Sequence, residues 1–460
     1  MTFGRIIKNL FILFVAISLT GAGCGGPSEA ESLANKSAKL SIWRVFDGSD
    51  TFAKAMQDYQ AIHPNVSFDY RELRFDEYED ELIRAFAEGR GPDIYSLHNT
   101  WIGEYQSLIQ PMPDSVTIPF SEVRGTIKKE VVYTLEEKPT LSLRALKSEY
   151  VDTVLGDITR PYSETEREEP RLRIFGLPLS LDTMALYYNK ELLDAAGFPE
   201  PPRTWNEFQT QVSKLSKIGA NNLVIQSGAA IGTSKNVERS FDLVSLLMMQ
   251  NGVEMTNDVG FANFAYGKEE DTALAIDAIS FYTDFANPLK EVYTWNESKP
   301  DSFDAFTSGD VAFFFGYAYH APLIKASAPK LNYSIAPMPQ IDGGKVVNYA
   351  NYWVETVAKA TDNVDWAWDF LLFISSKEHV IDYLNVARKP TARRDLISTQ
   401  IEDEDLSAFV SQTLTATSWY KGKNAAVAED AFVKLIDASL SGEEMEQALS
   451  LAQNKINQTF

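Results

Sequence analysis

The sequence predicts an α/β protein built as two lobes. Strand-like and helix-like stretches alternate from Lys39 onward, which favours largely parallel sheets covered by helices. Roughly 435 residues remain after an N-terminal targeting segment, more than one hydrophobic core usually serves. The stretch Phe175 to Trp205 reads as a passage from one lobe to the other, followed by a helix that a Pro-rich turn ends.

Residues 1–23 read as a targeting signal. Arg5 and Lys8 give a positive start, Leu10 to Leu19 is an apolar run too short to span a bilayer, and Gly21, Ala22 and Gly23 precede the only cysteine, Cys24. The layout resembles a bacterial lipoprotein signal, which implies that Cys24 becomes a lipidated N-terminus. It departs from that pattern at Gly21, where a leucine is usual, and an ordinary cleaved secretory signal is the alternative. Residues 24–36, rich in small and polar side chains, are expected to be a flexible tether. A lone cysteine gives no internal disulfide, so stability has to come from the core. The formal charge of −22 disfavours nucleic acid, which basic patches attract, and highly anionic solutes.

Taken in order, Lys39 to Phe46 is the first predicted strand, and Asp47 to Asp50 a loop and helix cap. A helix follows over Phe52 to Ile62, with Phe52, Ala55, Met56, Tyr59 and Ile62 on one face, and His63-Pro64 stops it. Val66 to Tyr70 is the second strand, Tyr78 to Phe86 the next helix and Asp93 to Leu97 the third strand. Ligands in such sheets sit beyond the carboxyl ends of strands, so the loops after Phe46 and Leu97 point to the site. Residues 111–170 are the least readable and are assigned no function, apart from a helix over Arg144 to Val154 and an exposed loop over Glu164 to Glu169. Asn189 and Thr204 are predicted N-caps, Thr204 with Glu207 as a capping box, and Gly197 is a C-cap glycine. Later helices are expected to about Lys217 and over Phe241 to Gln250 and Asp271 to Phe285, with a strand near Leu223 to Gln226.

Several segments resemble the family 1 extracellular solute-binding proteins of ABC importers, the maltose-binding-protein-like group. Gly176-Leu177-Pro178, Leu186 to Lys190 and Pro201-Pro202 with Thr204-Trp205 match its motifs. So do YQAIHPNVSFDY (59–70), AFAEGRGPDIYSLHNTWIGEY (85–105), TSGDVAFFFGYAYHAPLIK (307–325) and KPTARRDL (389–396). The resemblance implies a periplasmic-binding-protein-like fold of type II, with lobe 1 at 37–179 and 354–390 and lobe 2 at 184–348 and 394–460. It implies three crossings, near Pro178 to Thr183, Asn348 to Trp353 and Lys389 to Arg393. Leu97 and Thr100 stand where the maltose-binding member carries an aromatic and an acid, so no maltose specificity carries over; His98, Asn99 and Trp101 lie one step away. The implied function is a monomeric, extracellular or periplasmic lipoprotein on the outer face of the cytoplasmic membrane. It captures a small solute, most readily a sugar or oligosaccharide, for an ABC permease, with no cofactor or metal and no catalysis.

A sugar needs flat rings against its C–H faces and polar groups at its hydroxyls. The ligand candidates are Trp43, Asp47, Asn99, Trp101, Asp182, Tyr317, Tyr319, Trp353 and Glu355, with Trp419 and Arg393 as further positions. Trp43 lies mid-strand, where core packing is the competing reading, and Trp205 is expected to pack its Pro-turn. Asp182 and Glu355 equally suit caps or ion pairs. The four histidines, 63, 98, 320 and 379, have no metal-binding spacing, and no GxSxG or P-loop is present. Polyamine binding remains an alternative, since aromatic and acidic groups also suit cations. An exported carbohydrate-active enzyme is another, because sequence does not place a carboxylate pair, and so is ligand sensing.

Overall fold

The computed structural model describes residues 28–460, apart from 127–128, 166 and 268. The expected signal and the Cys24 lipidation site lie outside the described residues. Hydrophobic burial separates the chain into two main cores. One gathers residues from 38–181 and 350–396 with Ala416; the other gathers residues from 184–349 and 419–456, with a smaller cluster on the far face of its sheet.

The first core is built on a four-stranded sheet in the order Trp353–Val357, Ile94–His98, Ala38–Val45, Val66–Leu73. The last three run parallel, and Trp353–Val357 pairs antiparallel at one edge. The helix Asp50–Ile62 buries Phe52, Ala55 and Tyr59, the spacing that puts apolar side chains on one face. Ile62, expected on that face, is 49% exposed at the helix end. The helix Phe75–Ala87 buries Tyr78, Leu82 and Ala85 in the same way.

The second sheet has the order Lys217–Ile218, Val224–Ala229, Val311–Gly316, Ala185–Asn189, Tyr333–Pro337. It is mixed rather than largely parallel: Ala185–Asn189 runs antiparallel to both of its neighbours. Strand alternation divides its side chains, so Phe313 and Phe315 enter the larger core and Phe314 the smaller one. The local helix signals hold. Asn189 accepts from Leu192 N at 3.2 Å; Thr204 accepts from Glu207 N at 3.2 Å while Glu207 accepts from Thr204 N at 3.3 Å.

The chain passes between the cores beside itself. Leu177 bridges Glu355, Asp182 and Thr183 pair with Asn351 and Ala350, and Ser180 bridges Thr391. Gly176 permits the first of these approaches, because a Cβ there would lie 2.6 Å from the Glu355 carbonyl oxygen.

Two further expectations are corrected. The stretch expected as a tether holds the helix Glu29–Asn35, capped by Ser28, which packs on a hairpin. That hairpin pairs Ser115–Arg124 with Glu130–Pro139. The helix expected over Arg144 to Val154 is broken into Leu143–Glu149 and Asp152–Ile158, because Tyr150 is extended and bridges Arg393.

Candidate functional site

A cavity of about 700 Å³ opens where the crossings meet. The carboxyl ends of the first sheet supply Arg44, Phe46 and His98, with Trp101 in the turn after His98 and Phe75 and Glu79 from the helix Phe75–Ala87. The crossings supply Asp182, Asn351, Trp353 and Lys389; the other side supplies Glu238, Arg239, Tyr319 and Glu429. A pocket of about 270 Å³ beside Trp205 and Phe281 shares no lining residue with this cavity.

One wall is aromatic. Phe46 stacks on Phe75 with ring centroids 5.8 Å apart, Phe75 faces Trp101 at 6.4 Å, and Trp353 stands edge-on to Trp101 at 5.5 Å. Phe46 adopts φ +68°, a left-handed conformation uncommon for a bulky residue, and its side chain is 59% exposed. Across from this wall Tyr319, 41% exposed, stacks on the buried Tyr317 at 6.0 Å. Flat rings bordering a cavity with acids and amides suit a ligand that has apolar faces and polar edges.

Behind the cavity lies a buried charge network. Asp47 lies 2.8 Å from Arg44 and 2.6 Å from Lys389, and Arg44 lies 3.0 Å from Glu355. Glu355 also accepts from Ser96 Oγ at 2.8 Å. Burial alone would raise the Asp47 pKa, but Arg44 and Lys389 outweigh it and hold the carboxyl below its ordinary range. At Glu355 burial outweighs Arg44, and the pKa is raised. Asp182 is pushed up to about 7 by burial, against the backbone N–H groups of Ala318, Thr183 and Tyr319 that favour its charged form.

Of the nine ligand candidates, Trp101, Asp182, Tyr319 and Trp353 line this cavity. Asp47 and Glu355 stand behind its wall, holding Arg44 and Lys389. Tyr317 is fully buried and donates to Asp242 at 2.6 Å. Trp43 packs in the core under the Arg71 guanidinium, and Asn99 is buried and donates to Asp157 at 3.3 Å. Trp419 is buried against Ser245, Arg393 pairs with Asp395 and Glu149, and Trp205 is buried and donates to Gln250. Sequence reasoning missed Arg44, Phe46, Phe75, Lys389 and Arg239. Phe46 follows the first strand, and its loop was the signal pointing to it. Among the described residues no group of three or more His, Cys, Asp or Glu side chains is placed to hold a metal ion.

The family model for bacterial extracellular solute-binding proteins matches residues 47–381. The galactooligosaccharide-binding protein of Bacillus subtilis (strain 168) is 21% identical over 377 residues, covering 81% of this chain and 77% of that protein. Two solved structures share the fold. The maltose-binding periplasmic protein MalE of Listeria monocytogenes, in complex with maltose, is 17% identical with a TM-score of 0.68 and covers 92% of this chain and 97% of its own. A solute-binding protein from Thermotoga lettingae, bound with α-D-tagatose, is 19% identical with a TM-score of 0.62 and covers 92% and 100%.

Proposed function

This chain belongs to the bacterial extracellular solute-binding protein family, and from that premise we propose that its cavity captures a neutral sugar or short oligosaccharide for an ABC permease, without chemistry. The observation that carries the proposal is the ring wall of Phe46, Phe75, Trp101 and Trp353 facing Tyr319 across a cavity edged by Asp182, Asn351 and Arg239. The galactooligosaccharide- and maltose-binding relatives support the same class of solute.

Capture is proposed to work by closure. Lobe 1 takes 37–179 and 354–390, lobe 2 takes 184–348 and 394–460, and the three adjacent crossings form the hinge. Among the described residues no helix is long and apolar enough to cross a membrane. We place the chain, as a monomer, on the outer face of the cytoplasmic membrane through a lipid on Cys24.

A thermal-shift screen of the full-length protein in detergent tests the ligand class, using maltotetraose, mannobiose, galactooligosaccharides, spermidine, amino acids and glycerol phosphate. Stabilisation by at least one sugar is expected. Stabilisation by spermidine and by no sugar overturns the sugar reading, and turnover of a stabilising sugar overturns the absence of chemistry. The polyamine reading is favoured by one specific observation: Glu79, Glu238 and Glu429 line the same cavity as the aromatic wall.

A further inference from the structure

Arg239 enters the cavity from an unusual backbone position. It precedes the helix Ser240–Gln250 with φ +58°, and its guanidinium turns back onto that helix to grip Asp242 with two bonds, Nε to Oδ2 at 2.7 Å and Nη2 to Oδ1 at 2.8 Å. Asp242 is wholly buried. It also accepts from the Tyr317 hydroxyl at 2.6 Å and from Asn351 Nδ2 at 3.5 Å. The remaining Arg239 nitrogen, Nη1, lies 3.6 Å from Glu429, another residue of the cavity wall.

The chain of bonds continues to the other core. With Asn351 Nδ2 donating to Asp242, its Oδ1 faces His98 Nε2 at 3.1 Å and accepts a hydrogen bond from its N–H, which leaves His98 Nδ1 to accept from Thr100 Oγ1 at 2.8 Å. His98 is neutral in this scheme, and burial, reinforced by the charge of Arg239, pushes its pKa down to about 4. Every donor in the series has one acceptor, and the series runs from the end of the strand Ile94–His98, through the second crossing, to the helix Ser240–Gln250.

We propose that Arg239 is the second lobe's solute-reading donor, that Asp242 positions it, and that Asn351 and His98 tie that position to the hinge. A guanidinium whose charge a buried carboxylate already balances suits neutral acceptors, the hydroxyl and ring oxygens of a saccharide, rather than an anion. The proposal rests on the sugar-binding reading above.

The test is a double-mutant cycle by titration calorimetry on the full-length protein in detergent. Maltotetraose, mannobiose and galactooligosaccharides are titrated into wild type, Arg239→Gln, Asp242→Asn and the double variant, with circular dichroism to confirm folding. Each single change is expected to weaken binding at least tenfold, and the double change no more than either single one. Arg239→Lys is expected not to restore affinity, because an ammonium cannot make the paired bonds. Should Asp242→Asn not fold, Tyr317→Phe takes its place in the cycle, with a smaller loss that disappears in the Arg239→Gln background. Wild-type binding that Arg239→Gln leaves within twofold, or losses that multiply in the double variant, overturns this proposal alone. Failure of wild type to bind any of the three sugars overturns the sugar-binding reading and this proposal together.

Discussion

Lys389 Nζ lies 2.6 Å from Asp47 Oδ1, tying the third crossing to the loop after the first strand. Asp47 also holds Arg44, which is 3% exposed, and accepts from the Tyr383 hydroxyl at 3.0 Å. Asp47→Asn leaves Arg44 and Lys389 with Glu355 as their one remaining carboxylate in the network. Removing one partner of a buried ion pair costs about 3–5 kcal/mol. Urea unfolding is expected to show a loss of that order, and a loss under about 1 kcal/mol would contradict the network's role.

Trp353→Ala removes the ring that stands edge-on to Phe46, Phe75 and Trp101. Burying a large apolar side chain against a ligand is worth about 1.5–3 kcal/mol, so solute affinity is expected to fall about 10- to 150-fold. Titration with whichever sugar the screen identifies measures it; unchanged affinity would remove the aromatic wall from the binding account.

Asp182 gives a pH dependence with a definite sign. Its pKa rises from 3.8 to about 7 on folding, so between those values the folded chain holds a proton that the unfolded chain has lost. The corresponding stability is fully present below the lower value and is lost as pH rises through the upper one. The melting temperature of wild type is therefore expected to fall more steeply than that of Asp182→Asn between about pH 5 and about pH 7.5. Parallel curves would show that Asp182 titrates as it does in the unfolded chain.

Cys24→Ser is expected to abolish metabolic labelling of the protein with a radiolabelled fatty acid and to release it from the membrane fraction. Labelling that persists in the variant would place the lipid on another residue, and an unlabelled wild type would rule the anchor out.

The sequence was legible where a feature is local. Thr204 and Glu207 satisfy each other within one helical turn, so their residue types alone announce the cap. The helix Asp50–Ile62 was equally readable from spacing, except that Ile62, its last residue, is exposed. The hairpin Ser115–Arg124 with Glu130–Pro139 was not: Pro119 interrupts the alternation of the first strand, and only the pairing makes sense of it. The break at Tyr150 depends on Arg393, more than two hundred residues away. In the cavity, position after a strand pointed to Trp101, but aromatic character alone did not separate Trp353, which lines the cavity, from Trp43, which packs the core. Arg239 was invisible because its use depends on a left-handed backbone and a buried acid one turn on.

Phe46 carries a consequence for anyone engineering this chain. Holding an L-residue in the left-handed region costs about 1–2 kcal/mol that glycine avoids. Yet this same backbone twist delivers the ring onto Phe75 at the cleft. Heat tolerance and solute capture therefore pull in opposite directions at position 46. A library ranked only by survival at high temperature would drift there toward glycine or asparagine, and its most robust members would be the ones with a bare patch where a sugar face should rest.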